Sequence, residues 1–243
     1  MKEYIPPFTI SNNMLESVAS IMEKVGKLDN FSNLNKMPVL RRNNRIHSIH
    51  SSLAIEANSL SFNQVKDVIN GKLVFGDGKE IQEVKNAYKA YEMIKDINPY
   101  SINDLLKIHG TMTFLTVEES GVFRKGGEGV FDENGNCIFV APKHEYVETL
   151  INDLFNWMKE SKDEIHPLIL SSIFHYEFVF IHPFSDGNGR TARLWQTAIF
   201  THWKDLFKYI PIESIIRKHQ EEYYTAIQNC NNTGNSNEFI ELF

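Results

Sequence analysis

The stretch around which this chain is organised reads His182-Pro-Phe-Ser-Asp-Gly-Asn-Gly-Arg-Thr-Ala-Arg193. An apolar segment, 167–181, precedes it, and a helix-compatible segment, 191–200, follows it. These flanks predict a helix, a tight loop and a second helix. The stretch combines an imidazole, a carboxylate, loop glycines and guanidinium groups, which together indicate chemistry on a phosphate.

The glycines permit backbone angles at which successive N–H groups converge at the start of the second helix. The helix dipole favours an anion there. The two arginines can share one side of this helix end, and their forked donors suit phosphate oxygens. The residues of the stretch that we predict to bind a nucleotide are Asp186, Gly187, Asn188, Gly189, Arg190 and Arg193.

Three side chains of the stretch have separate predicted tasks. Asp186 is a candidate ligand of Mg²⁺ (or Mn²⁺), because Mg²⁺ is commonly held by one or two carboxylates together with phosphates. His182 titrates near neutral pH, which suits a general base. Phe184 is predicted to anchor the loop in the core. A plain helix-to-helix turn would explain a lone Gly-x-Gly, but not eight fixed positions, each met by chance at roughly one in twenty.

The pattern His-x-Phe-x-Asp-Gly-Asn-Gly-Arg-x-x-Arg at 182–193 resembles the Fic family motif at every fixed position. The resemblance implies a mostly helical protein adenylyltransferase, which transfers AMP from ATP to a hydroxyl side chain of a target protein or of itself. It implies that His182 takes the proton of a Ser, Thr or Tyr hydroxyl and that Asp186 coordinates Mg²⁺. Arg193 is then expected to pair with the γ-phosphate, and Arg190 to support the loop.

A second stretch, Ser52-Leu-Ala-Ile-Glu-Ala-Asn58, closes a predicted helix. Ser52 and Glu56 are four residues apart and share a helical face; taken alone, they would be a solvated pair. The stretch is similar to the inhibitory helix of Fic proteins, which implies that Glu56 pairs with Arg193 and misaligns bound ATP. Ala57 stands where the family has Gly or Asn, and alanine tolerates a left-handed angle poorly.

Residues 121–140 are rich in glycine, and Asn134-Gly135 between two β-prone runs predicts a hairpin. By position it resembles the flap of Fic proteins, which holds a target segment by backbone pairing, here at Gly129, Val130 and Phe131. A phosphate-binding glycine loop is rejected, because no Gly-x-x-x-x-Gly-Lys occurs.

One long helix is predicted over 215–231. Its residues Tyr223, Tyr224 and Asn231 resemble the nucleotide-side helix of the family, where such residues line the adenine and ribose. The resemblance therefore assigns these three residues to the nucleotide site.

The predicted fold class is all-α apart from the hairpin. The resemblance covers roughly Tyr4 to Phe243 and implies one Fic-like domain over 1–243. This domain comprises an N-terminal helical part, 1–100, with the inhibitory helix at about 39–58, and a core over about 101–243.

Bulk properties exclude several classes of function. The 243 residues carry a net charge of −6, which argues against nonspecific binding to nucleic acid or membranes, despite the basic segment 41–50. Cys137 and Cys230 form neither a metal-ligand spacing nor a disulfide framework, which favours the cytoplasm. No apolar run has the length of a membrane span, and the N-terminus lacks the apolar core of a signal peptide.

Two further histidines are interpreted as structural. His109 lies on a predicted helix. His175 belongs to a His-x-Glu pattern like that of zinc deaminases, but no Pro-Cys-x-x-Cys follows it.

Three alternatives stay open at this stage. A Fic-like loop can use another donor, such as UTP, CDP-choline or a protein-bound phosphoryl group. The protein can chiefly remove AMP, with Glu56 positioning a water. A non-catalytic nucleotide-sensing module is the third, and His182 argues against it. The sequence leaves open the target protein and the oligomeric state, a homodimer included.

Overall fold

The structure is a computed structural model that describes residues 4–29, 38–131, 135 and 137–243. Eleven α-helices and one two-stranded antiparallel sheet make up this described part, so the predicted fold class is confirmed. In chain order the elements are α1 (Asn12–Asp29), α2 (Pro38–Ile55), α3 (Phe62–Ile69), α4 (Gly78–Met93), α5 (Ile102–Met112), β1 (Gly129–Phe131), β2 (Cys137–Val140), α6 (His144–Ser161), α7 (Pro167–Ile181), α8 (Asn188–Trp203), a 3₁₀ turn (Asp205–Tyr209), α9 (Ile212–Lys218), α10 (Gln220–Thr233) and α11 (Asn237–Leu242).

The centre of the molecule is the helix pair α7 and α8, joined by the 182–187 loop as predicted. Most of α7 is apolar and buried, because other helices surround it. Phe155 of α6, Phe174 of α7 and Trp195 of α8 meet in aromatic contacts at the core. The one polar atom of Trp195 is satisfied, since its Nε1–H donates to the carbonyl of Pro99 at 3.1 Å. Within the described ranges, no helix combines the length and apolarity needed to cross a membrane.

The single helix predicted over 215–231 is wrong. The chain forms two helices, α9 and α10, that meet at His219, where φ is −115° and ψ is 40°. No glycine or proline marks the break in the sequence. The break follows from packing, because α9 lies against α2 whereas α10 lies against α11.

The predicted hairpin is confirmed as β1 and β2, with Val130 opposite Phe139. Of the predicted turn, Asn134 lies outside the described residues, and Gly135 has a left-handed φ of 80°. Phe139 contacts Phe180 of α7, with ring centroids 5.5 Å apart. The hairpin is therefore held beside the end of the helix that leads into the motif.

The helix predicted over about 39–58 is α2, and its last turn ends in a Schellman motif. The N–H of Asn58 donates to the carbonyl of Leu53 at 3.1 Å, and the N–H of Ala57 donates to that of Ala54 at 3.2 Å. Ala57 takes the position that favours glycine, with φ at 63°. The helix end is thus well formed, although its alanine adopts an angle that is costly for a side chain.

Replacing Ala57 with glycine should raise the stability of the protein, because glycine adopts positive φ without a steric cost. We expect a gain of about 0.5–1 kcal/mol in the free energy of unfolding, or roughly 1–4 °C in Tm. The matched control is Ala54→Gly within α2, which should lower stability by about 1 kcal/mol. Thermal unfolding of both variants checks the prediction, and a loss of stability in Ala57→Gly would contradict it.

Candidate active site

His182 lies at the C-terminus of α7 in a left-handed backbone conformation, with φ at 51°. Non-glycine residues at such angles are strained, and the strain is typical of functional sites. Its Nδ1 lies 3.2 Å from the carbonyl oxygen of Val179. Because a carbonyl can only accept, Nδ1 carries the hydrogen, and Nε2 keeps the lone pair that a general base needs.

The charge state of His182 also suits a base. Burial lowers the pKa of His182 below the ordinary value of 6.5, and the nearby guanidinium of Arg124 acts in the same direction. The hydrogen bond to Val179 and the carboxylates of Glu56 and Asp186 oppose this shift without reversing it. The ring is therefore neutral and able to accept a proton at pH 7.

NMR titration of the histidine rings should show His182 titrating below pH 6.5. A depressed pKa means that the neutral form dominates down to that value, and that the ring is protonated only as the pH falls through it. Burial lowers the pKa of His109 to about 4 and that of His175 to about 3, so these rings provide internal references. The His182→Gln variant assigns the signal, and a pKa of 6.5 or higher would contradict the prediction.

Arg124, which the sequence analysis missed, connects the hairpin to the end of α7. Its guanidinium is 3% exposed and donates to four backbone carbonyls at 2.5–3.4 Å, those of Gly126, Pro142, Ile181 and His182. Both ends of the hairpin are thereby tied to the helix that carries the base. Nothing in the sequence distinguishes this arginine from a surface arginine, because its four acceptors come from three separate segments.

The phosphate loop, residues 182–189, is closed by its own side chains. Phe184 is fully buried, which confirms its predicted anchoring role. Asn188 bonds the backbone of Phe184 at both of its polar atoms: Nδ2 donates to the carbonyl at 2.7 Å, and Oδ1 accepts from the N–H at 2.9 Å. The nucleotide contact predicted for Asn188 is therefore left to its backbone N–H, since the side chain is used within the loop.

His109 of α5 packs against this loop and supports it. Its ring stacks on Phe184, with centroids 3.5 Å apart and planes at 5°. Its Nε2 lies 2.9 Å from the carbonyl of Asp186, to which it donates, and its Nδ1 accepts from the N–H of Gly121 at 3.0 Å. Because burial keeps this ring neutral, both bonds persist at physiological pH. The structural role predicted for His109 is confirmed.

Close approach requires glycine at two positions of the loop. At Gly187, φ is 80°, and a Cβ would lie 2.9 Å from the Thr113 methyl group. At Gly189, a Cβ would lie 2.4 Å from Oε1 of Glu56 and 3.0 Å from Nη1 of Arg193. Any larger residue at 189 would collide with the carboxylate that reaches this helix start.

Arg190 is 3% exposed and lies behind the loop. Its Nη1 donates to Glu83 at 3.1 Å, and its Nη2 donates to Asp186 at 2.9 Å. Glu83 in turn accepts from Nδ2 of Asn58 at 2.9 Å. These contacts connect α4, the end of α2 and the phosphate loop, and they fit the supporting role expected for Arg190. The sequence analysis missed Glu83, which lies 107 residues from Arg190 in the chain.

Asp186 has the properties of a ligand for a divalent cation. Its Oδ1 accepts from the N–H of Gly187 and from Arg190, whereas no described residue donates to its Oδ2. Burial works to raise the pKa of Asp186, but Arg190 and the Gly187 N–H outweigh it, so the pKa is lowered and the group is ionised. The described residues contain no cluster of three or more potential ligands. Asp186 stays a candidate ligand of Mg²⁺, through its Oδ2, in a site completed by phosphates.

Glu56 and Arg193 form the predicted ion pair. Nη2 of Arg193 lies 2.7 Å from Oε1 of Glu56, and Nε donates to Oγ of Ser52 at 3.0 Å. Arg193 is 1% exposed, whereas the Glu56 side chain is 31% exposed. Burial alone would lower the pKa of Arg193, but the Glu56 carboxylate more than offsets this and keeps the guanidinium charged. The carboxylate thus lies at the start of α8, where the helix dipole favours an anion.

The predicted nucleotide-side residues separate into different environments. Tyr223 is 2% exposed, and its hydroxyl lies 3.0 Å from Nε2 of His175, so it is a core residue. Tyr224 is 46% exposed, and Asn231 accepts a hydrogen bond from Tyr176 at 3.1 Å. A direct nucleotide contact therefore stays a prediction for Tyr224 and Asn231, and not for Tyr223. The core role predicted for His175 is confirmed.

The predicted flap residues Gly129, Val130 and Phe131 form β1. Within the described part of the chain, β1 pairs only with β2, so its second edge is open. An open strand edge can accept an extended peptide by backbone hydrogen bonding.

Comparisons with known proteins agree with this geometry. The family model described as Fic/DOC family matches residues 99–200. The protein adenylyltransferase Fic of Nematostella vectensis is 30% identical over 206 residues, which cover 81% of this chain and 45% of that protein. The protein adenylyltransferase fic-1 of Caenorhabditis elegans is 28% identical over 233 residues, which cover 91% of this chain and 43% of that protein. The chain thus spans less than half the length of these curated relatives.

A solved structure provides the strongest of these similarities. The crystal structure of a Fic family protein from Desulfovibrio desulfuricans G20 is 43% identical and superposes with a TM-score of 0.93. The alignment covers 98% of this chain and 73% of that one. With the motif, the phosphate loop and this likeness in place, the chain belongs to the Fic family.

Proposed function

We propose that this chain is a protein adenylyltransferase that moves AMP from ATP to a protein hydroxyl, and that Glu56 restrains the transfer. One observation carries the proposal: a neutral imidazole, the start of α8 and a buried guanidinium surround a single loop. The curated relatives named protein adenylyltransferase support the choice of AMP.

In the proposed reaction, the target oxygen forms a bond to the α-phosphorus while the bond from that phosphorus to pyrophosphate breaks. Nε2 of His182 takes the hydroxyl proton. The N–H groups at the start of α8 lack intrahelical partners and hold the phosphates, with Arg193 on the γ-phosphate. When bound at Asp186, Mg²⁺ neutralises phosphate charge. Positioning and electrostatics account for the catalysis of such transfers.

Restraint by Glu56 follows from its place in this site. Its carboxylate occupies the Arg193 donor that the γ-phosphate would use, and its negative charge repels phosphate oxygens. ATP then binds with its α-phosphate displaced from the line of attack. A displacement of about 1 Å can lower a rate on the order of a hundredfold.

The open edge of β1 is the proposed binding site for the target segment. Backbone pairing at Gly129, Val130 and Phe131 would place a hydroxyl side chain near His182, because Arg124 ties the hairpin to the end of α7. Tyr224 and Asn231 are proposed to contact the adenosine. The target is another protein or a second copy of this chain, and a homodimer is compatible with the second case. Both cysteines are free thiols, which supports the expectation of a cytoplasmic setting.

ATP labelled at either the α- or the γ-phosphate identifies the group that is transferred. Incubation of the Glu56→Gly variant and a cell lysate with ATP labelled at the α-phosphate should label protein, whereas ATP labelled at the γ-phosphate should not. Labelling from the γ-position alone would replace the proposal with phosphoryl transfer. Labelled UTP and CDP-choline, used in parallel, test the other donors.

Removal of AMP is a second candidate, and one observation favours it. The Glu56 carboxylate reaches Gly189, in the loop that His182 begins, so it could position a water for attack on the phosphorus. Incubation of the wild-type protein with an AMP-modified target separates the two directions. Release of AMP that is lost in Glu56→Gly would favour the hydrolytic function.

AMP transfer should require a divalent cation, and Asp186→Asn should reduce it by at least about tenfold, because the negative charge that would bind the cation is lost. Thermal unfolding should change little, since Asn keeps an acceptor for Arg190 and for the Gly187 N–H. The matched control is Asp205→Asn on the surface. Full transfer in excess EDTA would contradict the metal role.

A further inference from the structure

A buried carboxylate outside the motif connects four helices. Glu213 of α9 is fully buried, and three hydroxyl groups donate to it. Ser48 of α2 donates to Oε2 at 2.6 Å, and Tyr91 of α4 donates to Oε1 at 2.6 Å. Thr197 of α8 donates to Oε1 at 3.1 Å. The proposed reaction makes no use of this cluster.

The cluster lies beside the inhibitory ion pair, on the same two helices. On α2, Ser52 accepts from Arg193 with both of its oxygens: Oγ lies 3.0 Å from Nε, and the backbone carbonyl oxygen lies 3.0 Å from Nη2. Ser52 therefore fixes the guanidinium to α2, the helix that Ser48 joins to Glu213.

The spacing of the donors strengthens this connection. Ser48 precedes Ser52 by four residues on α2, and Thr197 follows Arg193 by four residues on α8. Residues four apart lie on the same helical face. Glu213 therefore holds α2 and α8 together one turn away from the point where Ser52 meets Arg193.

We propose that Tyr91 and Glu213 are positioning residues of the inhibitory contact. They hold α2 in the register at which Glu56 reaches Arg193 and at which both oxygens of Ser52 accept from that guanidinium. This inference rests on the proposed restraint by Glu56. Loss of the Tyr91 hydroxyl removes one of the three donors to the buried Glu213 carboxylate, so the hold of Glu213 on α2 and α8, and with it the restrained state, is weakened.

The test measures AMP transfer by the Tyr91→Phe variant in two backgrounds, the wild type and Glu56→Gly. Tyr91→Phe should raise basal AMP transfer roughly three- to tenfold, the change in equilibrium that corresponds to one net buried hydrogen bond. In the Glu56→Gly background the same substitution should cause no gain, because no inhibitory contact is left to weaken. A purely structural role for Tyr91 would change both backgrounds alike and would overturn the inference.

Tyr88→Phe is the matched control on α4 and should leave transfer unchanged, because Tyr88 is outside the cluster. If Tyr91→Phe fails to fold, Glu213→Gln, which keeps the shape of the side chain, should give the same gain in the wild-type background only. If Glu56→Gly raises AMP transfer but neither Tyr91→Phe nor Glu213→Gln does, this inference is overturned and the proposed restraint stands. No gain in Glu56→Gly itself would overturn the proposed restraint and this inference with it.

Discussion

The His182→Ala variant is expected to lose AMP transfer by at least a hundredfold while it keeps most of its affinity for ATP. A general base contributes roughly 10²–10⁴ in rate, and Nε2 of His182 is the lone pair that the geometry makes available. The phosphates are held by other groups, namely the backbone at the start of α8 and Arg193. Transfer is measured with α-labelled ATP, and affinity by calorimetry.

A backbone control accompanies this substitution. His182 has a left-handed φ of 51°, which alanine tolerates poorly, whereas asparagine adopts such angles more readily. His182→Asn should therefore keep the loop conformation and still lose transfer. If His182→Asn retains wild-type transfer, the ring is not the base. If both variants lose ATP affinity in parallel with transfer, the role of His182 is structural.

The Glu56→Gly variant is expected to gain AMP transfer by roughly ten- to a hundredfold, the scale set by misplacement of a reacting group by about 1 Å. The change frees the Nη2 hydrogen of Arg193 that Glu56 accepts at 2.7 Å for the γ-phosphate, while Nη2 still donates to the carbonyl of Ser52 at 3.0 Å. It also leaves a buried guanidinium without its carboxylate, which is costly. The variant should therefore have a lower Tm than the wild type and should be stabilised more by ATP.

Matched variants distinguish the effect of the Glu56 charge from the effect of the backbone conformation at the end of α2. Ala57→Gly relaxes the strained residue next to it and keeps the carboxylate, so it should not increase transfer. Ser52→Ala should cause a smaller gain than Glu56→Gly, because it removes one acceptor of Arg193 and leaves the ion pair. The proposed inhibition acts within one chain, since Glu56 and Arg193 belong to the same chain, so dilution of the wild type should not relieve it. Equal transfer by Glu56→Gly and wild type, at matched Mg²⁺ and ATP, would refute the restraint.

Local spacing was sufficient to predict most of what lies within one segment. The helix–loop–helix around residues 182–193, the capacity of its glycines to bring N–H groups together and the shared face of Ser52 and Glu56 all depend on neighbours in sequence. Such patterns are readable because helical periodicity and glycine geometry act over a few residues. The pairing of Glu56 with Arg193, which are 137 positions apart, was predicted only through the resemblance to a family.

The tertiary structure decided which side chains support the site. Arg124, Glu83 and Glu213 are ordinary charged residues in sequence, and their partners are brought to them only by the fold. The break at His219 has the same origin, since α9 and α10 pack on different neighbours. Tyr223 and Tyr224 are adjacent, yet only packing determines that the first is buried and the second is exposed. Sequence thus specified the candidate reacting groups, whereas burial and long-range hydrogen bonds, which exist only after the chain has folded, determined how those groups are held.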